Sequence, residues 1–200
     1  MSKERLLLLF VKNPVAGKVK TRLARTAGND RALHIYKQLV HLTEKSAKQV
    51  DSARQVWYSN FIDQNDLFEG NLFEKRLQEG VDLGERMQNA FSKSFEEGYR
   101  NIVIIGSDCP DLHSSIIEQA FDELNSSDVV IGPSADGGYY LLGMNTFIPE
   151  IFKGIKWSSP EVLSRTKEKL NRSGYSFHEL KVLNDIDTEE DLNESKLRNA

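Results

Sequence analysis

The sequence has one cysteine, no long apolar run and no excess of positive charge, and each shortage excludes a class of protein. Cys109 alone cannot form a disulfide within the chain or a cysteine-rich zinc site, which favours a reducing compartment. The apolar run Leu6–Val11 is too short to span a bilayer. A formal net charge of −4 argues against general nucleic-acid binding. We therefore expect a cytoplasmic protein that binds neither membranes nor nucleic acids.

Two glycine-rich phosphate-binding motifs are also missing. No G-x-G-x-x-G occurs, so a dehydrogenase built on a dinucleotide-binding sheet is excluded. The segment PVAGKVKTR, residues 14–22, has one glycine where a Walker A loop needs two at a fixed spacing. A phosphate site in this chain therefore has a different construction.

Apolar strands alternate with amphipathic helical patterns along the whole chain. The segments 6–12, 101–106 and 128–132 are almost continuously apolar, which is typical of strands buried on both faces of a sheet. Residues 30–50 and 82–98 carry apolar side chains at helical spacing, and Asp82, three residues before Glu85, is predicted to cap the second of these helices. The pattern predicts one α/β domain, residues 1–200, with a largely parallel sheet covered by helices on both sides. In such sheets, ligands bind beyond the carboxyl ends of the strands.

The loop after the first strand concentrates positive charge in a mildly acidic chain. Lys18, Lys20 and Arg22 lie within five residues, next to Gly17 and before a helix that we expect near Thr21. Glycine lets a backbone approach an anion closely, and arginine holds a phosphate with two parallel hydrogen bonds. We interpret this loop as a nucleotide phosphate site. A solvated basic loop is the alternative, since clustered charges mostly lie at the surface.

Carboxylates follow a second buried strand and recur near the end of the chain. Asp108 comes just after the strand that ends at Gly106, a position that suits Mg²⁺. The segment TEED from Thr188 is a helix start, which leaves Asp185 and Asp187 without a structural purpose on one face of an extended segment. We predict that Asp108 and one of this pair bind a metal. Asp111 is predicted to cap the next helix.

Asp136 precedes two glycines that lead into an aromatic strand, in GPSADGGYYLLG. The glycines indicate either a backbone that closely approaches a ligand or a plain tight turn between two strands. On the first interpretation, Asp136 hydrogen-bonds a sugar hydroxyl or orients an acceptor. The sequence favours neither interpretation over the other.

The order of these motifs resembles a known bacterial family. KNPVAGKVKTRLA, DLGERM, IIGSDCPDL, GPSADGGYYLLG, WSSPEVL and DIDTEEDL together are similar to the DUF2064 family of proteins related to nucleotide-diphospho-sugar transferases. The resemblance covers nearly the whole chain. It implies a Rossmann-like GT-A fold, a three-layer α/β/α arrangement with a mostly parallel, mixed sheet.

The resemblance also implies roles for individual residues. In that superfamily, the loop after the first strand holds the nucleotide and its phosphates. In this chain, the loop supplies Gly17, Lys18, Lys20 and Arg22. An Asp after a central strand binds the divalent metal, Mg²⁺ or Mn²⁺, and corresponds to Asp108. The leading Asp of a DTPEDL-like motif is a second metal ligand, which is Asp187 in DTEEDL, with Asp185 as the alternative.

We therefore expect a metal-dependent transferase that acts on an activated nucleotide and a small-molecule acceptor. Its catalytic residues are expected to be Lys20, Arg22, Asp108 and Asp136. Attack on the α-phosphate of an NTP and attack on the anomeric carbon of an NDP-sugar both stay open. Three basic residues match a triphosphate better, whereas the names used for the family favour glycosyl transfer.

A catalytically silent nucleotide-binding or scaffolding protein that keeps the fold is the alternative. Such a protein would retain the phosphate loop and lose the metal ligands. The presence of both Asp108 and Asp187 argues against it, because site chemistry rather than fold decides function.

Overall fold

The computed structural model describes residues 4–199 of the chain. Within this range the chain forms a mixed sheet of seven strands. The strands are β1 (Arg5–Val11), β2 (Ala53–Tyr58), β3 (Glu74–Leu77), β4 (Asn101–Ile105), β5 (Val129–Pro133), β6 (Tyr139–Met144) and β7 (Phe177–Glu179). Their order across the sheet is β3-β2-β1-β4-β6-β5-β7. Strand β6 runs antiparallel to both of its neighbours, and the other pairs are parallel. The predicted mostly parallel, mixed sheet is confirmed.

Helices cover both faces of the sheet. They are α1 (Thr21–Ala27), α2 (Asn29–Lys48), α3 (Leu83–Glu96), α4 (Ser114–Glu123), α5 (Val162–Ser173) and α6 (Glu189–Glu194), with a 3₁₀ turn at Pro149–Phe152. Within residues 4–199, none of the helices combines the length and the apolar character that crossing a bilayer requires. The arrangement is the three-layer α/β/α fold expected from the sequence.

Strand β1 forms the centre of two hydrophobic cores. Its residues Leu6–Leu9 have no exposed surface. Because successive side chains of a strand point to opposite faces, Leu7 and Leu9 pack with residues of α2 and α4. Leu6 and Leu8 pack with residues of α3 and α5. Each buried leucine contributes roughly 1.5–3 kcal/mol, so this strand stabilises both faces of the sheet.

A third hydrophobic cluster attaches the end of the chain to its beginning. Ile186 and Leu192, from α6 and the segment before it, pack against Leu23 of α1 and against Ile35 and Leu39 of α2. Ile186 is 1% exposed. This packing places the acidic segment before α6 beside the basic loop before α1.

The parallel strands β1, β4 and β5 all end on the same side of the sheet, which we call the carboxyl edge. The chain continues from β1 to β2 and β3 on one side, whereas β4 lies on the other, so the strand order switches direction at this point. The loops that begin here are residues 12–20, 106–113 and 134–138. A parallel bridge between Ser134 and Leu183 brings the segment before α6 to the same edge. The fold thus gathers four polar segments in one place.

Two local features differ from the sequence prediction. Strand β3 was not predicted, because three of its four residues are charged; it lies at the sheet edge, where charged side chains discourage pairing with another chain. The prediction that Asp111 caps α4 is wrong. His113 is the N-cap residue, and Asp111 lies two residues earlier and pairs with Lys196 at 3.2 Å.

The predicted caps of α3 and α6 are confirmed. Asp82 accepts a hydrogen bond from the Glu85 amide at 2.9 Å. Thr188 and Asp191 form a reciprocal capping box at the start of α6. These caps fix where the two helices begin, and each helix begins close to the edge at which the strands end.

Substitution of Gly84 by alanine should destabilise the protein, although alanine normally favours a helix. A Cβ atom at Gly84 would lie 2.0 Å from the indole of Trp157. The start of α3 and the segment that carries Trp157 must therefore move apart. We expect a loss of about 1–3 kcal/mol and a melting temperature lower by several degrees. Gly70→Ala is the control, because a Cβ there meets nothing within 4 Å. Equal melting temperatures for the two variants would contradict this packing.

Candidate active site

A cleft of about 490 Å³ opens at the edge where β1, β4 and β5 end. One part of its wall is apolar and is formed by Phe10, Leu83, Met87, Tyr139 and Trp157. The other part is charged and is formed by Lys12, Arg22, Asp108, Asp136, Asp185 and Asp187. A neighbouring cavity of about 230 Å³ shares four of these charged residues, namely Arg22, Asp136, Asp185 and Asp187. The cleft is large enough for a ligand with an apolar group and a charged group.

Lys20 is a buried residue that contacts two carboxylates of the charged part and does not itself line the cleft. Its side chain is 3% exposed, and its Nζ atom lies 2.6 Å from Asp108 Oδ1 and 3.2 Å from Asp187 Oδ1. Burial alone would lower the pKa of this ammonium, but the two carboxylates outweigh burial, so the pKa of Lys20 is raised and the group is charged. The alternative interpretation of this loop, a solvated surface charge, is therefore wrong for Lys20.

The backbone at Lys20 takes an unusual conformation to place this side chain. Lys20 is the N-cap residue of α1, with φ 46° and ψ 46°, in the left-handed region that residues other than glycine rarely occupy. This conformation costs on the order of 1 kcal/mol. The ion pairs with Asp108 and Asp187 offset that cost, since they satisfy an ammonium that would otherwise be buried alone.

Four neutral hydrogen bonds join the segments around Asp108. The Tyr36 hydroxyl donates to the Lys12 carbonyl at 2.9 Å, accepts from the Lys12 amide at 2.8 Å and lies 3.2 Å from Ser107 Oγ. It thereby joins the loops that follow β1 and β4. The Ile186 amide donates to the Asp108 carbonyl at 3.0 Å, which joins the β4 loop to the segment before α6.

Asp185 and Asp187 both line the cleft, on either side of the buried Ile186. Asp187 Oδ2 lies 3.6 Å from Arg22 Nη1 in addition to its contact with Lys20. Asp185 is half-buried, and burial together with the neighbouring Asp108 raises the pKa of Asp185 to about 7. Burial is the larger cause of the raised pKa, and the neighbouring carboxylates add to it.

The tight-turn interpretation is correct for the Asp136 segment. Asp136 Oδ1 accepts hydrogen bonds from Ser134 Oγ and, at 2.9 Å, from the Gly138 amide. Gly137 has φ 88°, and a Cβ atom there would lie 2.2 Å from the Pro160 carbonyl oxygen. The close approach that the glycines allow is therefore to the chain itself. The Asp136 carboxylate is exposed and still lines both cavities.

The structure brings only part of the predicted phosphate loop to the cleft. Arg22 lines both cavities with a side chain that is 64% exposed. Gly17 and Lys18 are exposed and line neither cavity. Cys109 lines the cleft as a buried thiol, and burial raises its pKa to about 12, so we interpret it as a packing residue.

Sequence reasoning missed two residues that shape the site, Tyr36 and Trp157. Tyr36 lies on the apolar face of α2, where helical spacing marks it as a core residue and gives no sign of its three polar contacts. Trp157 lies in an irregular segment, so no periodic pattern points to it. A tyrosine within an otherwise aliphatic helix face is the signal that was available, because its hydroxyl needs a partner when buried.

The two carboxylates that approach Lys20 fit a divalent cation. Mg²⁺ usually takes one or two carboxylates and keeps waters and substrate phosphates as its other ligands. Asp108 and Asp187 already direct oxygen atoms toward one positive charge. Among residues 4–199, no group of three or more His, Cys, Asp or Glu residues forms a closed metal site. The donor set therefore suits a cation that arrives with a phosphate ligand.

Proteins of known name share this fold and part of the sequence. A 2-phospho-L-lactate guanylyltransferase of Methanocaldococcus vulcanius is 32% identical over 128 residues, which are 61% of this chain; the chain spans 57% of that relative's length. The structure of a proposed nucleotide-diphospho-sugar transferase from Desulfovibrio desulfuricans G20 is 37% identical, with a TM-score of 0.87 over 96% of this chain and 86% of that one. Both names denote transferases, in agreement with the class predicted from the sequence.

A more distant structure shows the same fold at low identity. Rv0371c of Mycobacterium tuberculosis H37Rv, in complex with manganese, has a TM-score of 0.57 and 12% identity over 97% of this chain and 98% of that one. At that identity the likeness concerns the fold alone. The family described as "Uncharacterized protein conserved in bacteria (DUF2064)" matches residues 42–159, more than half of the chain. The chain therefore belongs to the DUF2064 family.

Proposed function

We propose that this protein is a divalent-metal-dependent transferase that acts on an activated nucleotide, with nucleotidyl transfer as its reaction. The observation that carries the proposal is the contact of the buried Lys20 with Asp108 and Asp187, two carboxylates that line the cleft. These residues come from three separate segments of the chain. A cation and a polyphosphate together would satisfy all three charges, whereas an uncharged ligand would satisfy none.

Each residue of the charged wall has a role in this proposal. Asp108 and Asp187 hold Mg²⁺ or Mn²⁺. When bound, the metal neutralises charge on the phosphate-bearing leaving group. Arg22 holds the phosphates through its exposed guanidinium, and Lys20 provides a second fixed positive charge near them. Gly17 and Lys18 lie outside both cavities and have no role in this proposal.

In nucleotidyl transfer, an acceptor oxygen bonds to the α-phosphorus of an NTP, the bond to the bridging oxygen breaks and pyrophosphate leaves. The relative that is 32% identical is named a guanylyltransferase, which supports an NTP as the substrate. Asp136 is our candidate for positioning the acceptor, because its exposed carboxylate borders both cavities. Its second oxygen is not engaged by the turn bonds to Oδ1.

Glycosyl transfer is the second candidate. The related structure that is 37% identical carries the name of a nucleotide-diphospho-sugar transferase. In this reaction an acceptor oxygen bonds to the anomeric carbon of an NDP-sugar, and the NDP leaves. The same charged wall would bind the NDP group, so ligand identity rather than the site geometry distinguishes the two reactions.

Asp108→Asn should abolish the magnesium-dependent part of nucleotide binding. A nucleotide at 100 times its Kd stabilises the wild type by about 2.7 kcal/mol, and loss of a charged contact in the transition state lowers turnover by about 100-fold or more. The measurement is a thermal-shift screen of NTPs and NDP-sugars, with Mg²⁺ and with EDTA, each variant being compared with its own ligand-free state.

Asp111→Asn is the matched control for Asp108→Asn. It removes the same charge from the same loop, but Asp111 pairs with Lys196 and does not line the cleft. Stabilisation by an NTP supports nucleotidyl transfer, and stabilisation by an NDP-sugar supports glycosyl transfer. A wild-type protein that no nucleotide stabilises, with or without Mg²⁺, would refute the proposal and favour the scaffolding alternative.

Arg22→Gln should weaken nucleotide binding by about 10-fold or more, since hydrogen bonds to charged groups contribute roughly 1.5–3 kcal/mol. Isothermal titration with the nucleotide found in the screen measures the change. Arg25→Gln on the same helix is the control, because Arg25 is exposed and borders neither cavity. If both variants bind as the wild type does, Arg22 is not a phosphate ligand.

A further inference from the structure

Lys20 occupies the position that a divalent cation would need. Its Nζ atom contacts Oδ1 of Asp108 and Oδ1 of Asp187, at 2.6 and 3.2 Å. A cation such as Mg²⁺ binds carboxylate oxygens at about 2.0–2.1 Å. A metal bound by the same two oxygens would therefore lie almost where the ammonium lies. The two cations exclude each other, by space and by repulsion of like charges.

Lys20 is also unstable in its buried position if Asp108 and Asp187 no longer pair with it. Its side chain is 3% exposed, and its backbone is held in the left-handed conformation at the start of α1. A buried ammonium without a partner is strongly unfavourable. Among residues 4–199, its ion pairs are those with Asp108 and Asp187. An incoming metal must therefore either compete with Lys20 or bring a new anion for it.

We propose that Lys20 is an internal counterion that holds Asp108 and Asp187 together in the metal-free protein and is exchanged for the divalent cation when a polyphosphate enters. The inference rests on the metal site of the proposed function and adds how that site is regulated. The polyphosphate supplies the new partner for the released ammonium. Metal binding is consequently weak without a nucleotide and is strengthened by one, and the coupling is reciprocal.

Lys20→Met should bind Mn²⁺ at least about 10-fold more tightly than the wild type in the absence of nucleotide, because the competing charge is gone and two carboxylates remain. Titration followed by electron paramagnetic resonance counts free Mn²⁺ directly and needs no activity. Lys153→Met is the matched control: it removes the same charge from an exposed lysine outside the cleft and should bind Mn²⁺ as the wild type does. Lys20→Gln replaces Lys20→Met if circular dichroism shows that the latter does not fold.

A second measurement uses the wild type alone and is independent of variant folding. The Lys20 amine is labelled with an amine-reactive ester, with and without saturating Mn²⁺, and the modified peptide is quantified by mass spectrometry. We expect Mn²⁺ to increase labelling at Lys20 several-fold and to leave Lys153 unchanged. Labelling at Lys20 that Mn²⁺ leaves unchanged or lowers would overturn the exchange.

The outcomes separate this inference from the proposed function. If the wild type and Lys20→Met bind Mn²⁺ equally, or if the variant binds it more weakly, the metal site stands and the exchange is refuted. If neither protein binds Mn²⁺, with or without a nucleoside triphosphate, the metal site itself is refuted and the inference falls with it. Tighter binding to the variant together with increased labelling in the wild type supports the exchange.

Discussion

The ion pairs of the buried Lys20 ammonium with Asp108 and Asp187 are the interaction on which the geometry of the cleft depends. Each partner is brought to the others by neutral contacts. The Tyr36 hydroxyl joins the loops after β1 and β4, and the Ile186 amide joins Asp108 to the segment before α6. Because an unpaired buried charge is costly, the three segments are stable only when they are together.

The site contains two features that are unfavourable for folding alone. The Lys20 backbone lies in the left-handed region, and burial together with the neighbouring carboxylates raises the pKa of Asp185. Such features persist where the surrounding structure enforces them, and they are common at functional sites. Here the three hydrophobic clusters provide that enforcement. A divalent cation would offset part of the negative charge of the carboxylates, and a polyphosphate would give Lys20 a new partner, which links these features to the function that we propose.

The apolar wall of the cleft depends on two glycines. Gly84 lets Trp157 pack against the start of α3, and Gly137 lets the β5–β6 turn contact Pro160. The Leu163 amide donates to the Gly137 carbonyl at 2.9 Å, so the turn also fixes the start of α5. The segment between Trp157 and α5 thus becomes a fixed side of the cleft. The motifs DLGERM and GPSADGGYYLLG, which are far from WSSPEVL in the sequence, both contact that motif in the fold.

The sequence by itself determined the buried strands, the caps at Asp82 and Thr188, and the placement of Asp108 just beyond a central strand. These follow from periodicity and from neighbours within a few residues. Only the tertiary structure decided that β6 runs antiparallel, that Asp111 pairs with Lys196 and that Lys20, unlike Lys18, is buried. The contact of Lys20 with Asp187 joins residues 167 positions apart. Local sequence patterns carry no information on a contact between residues so far apart in the sequence, because packing of the whole chain brings the two residues together.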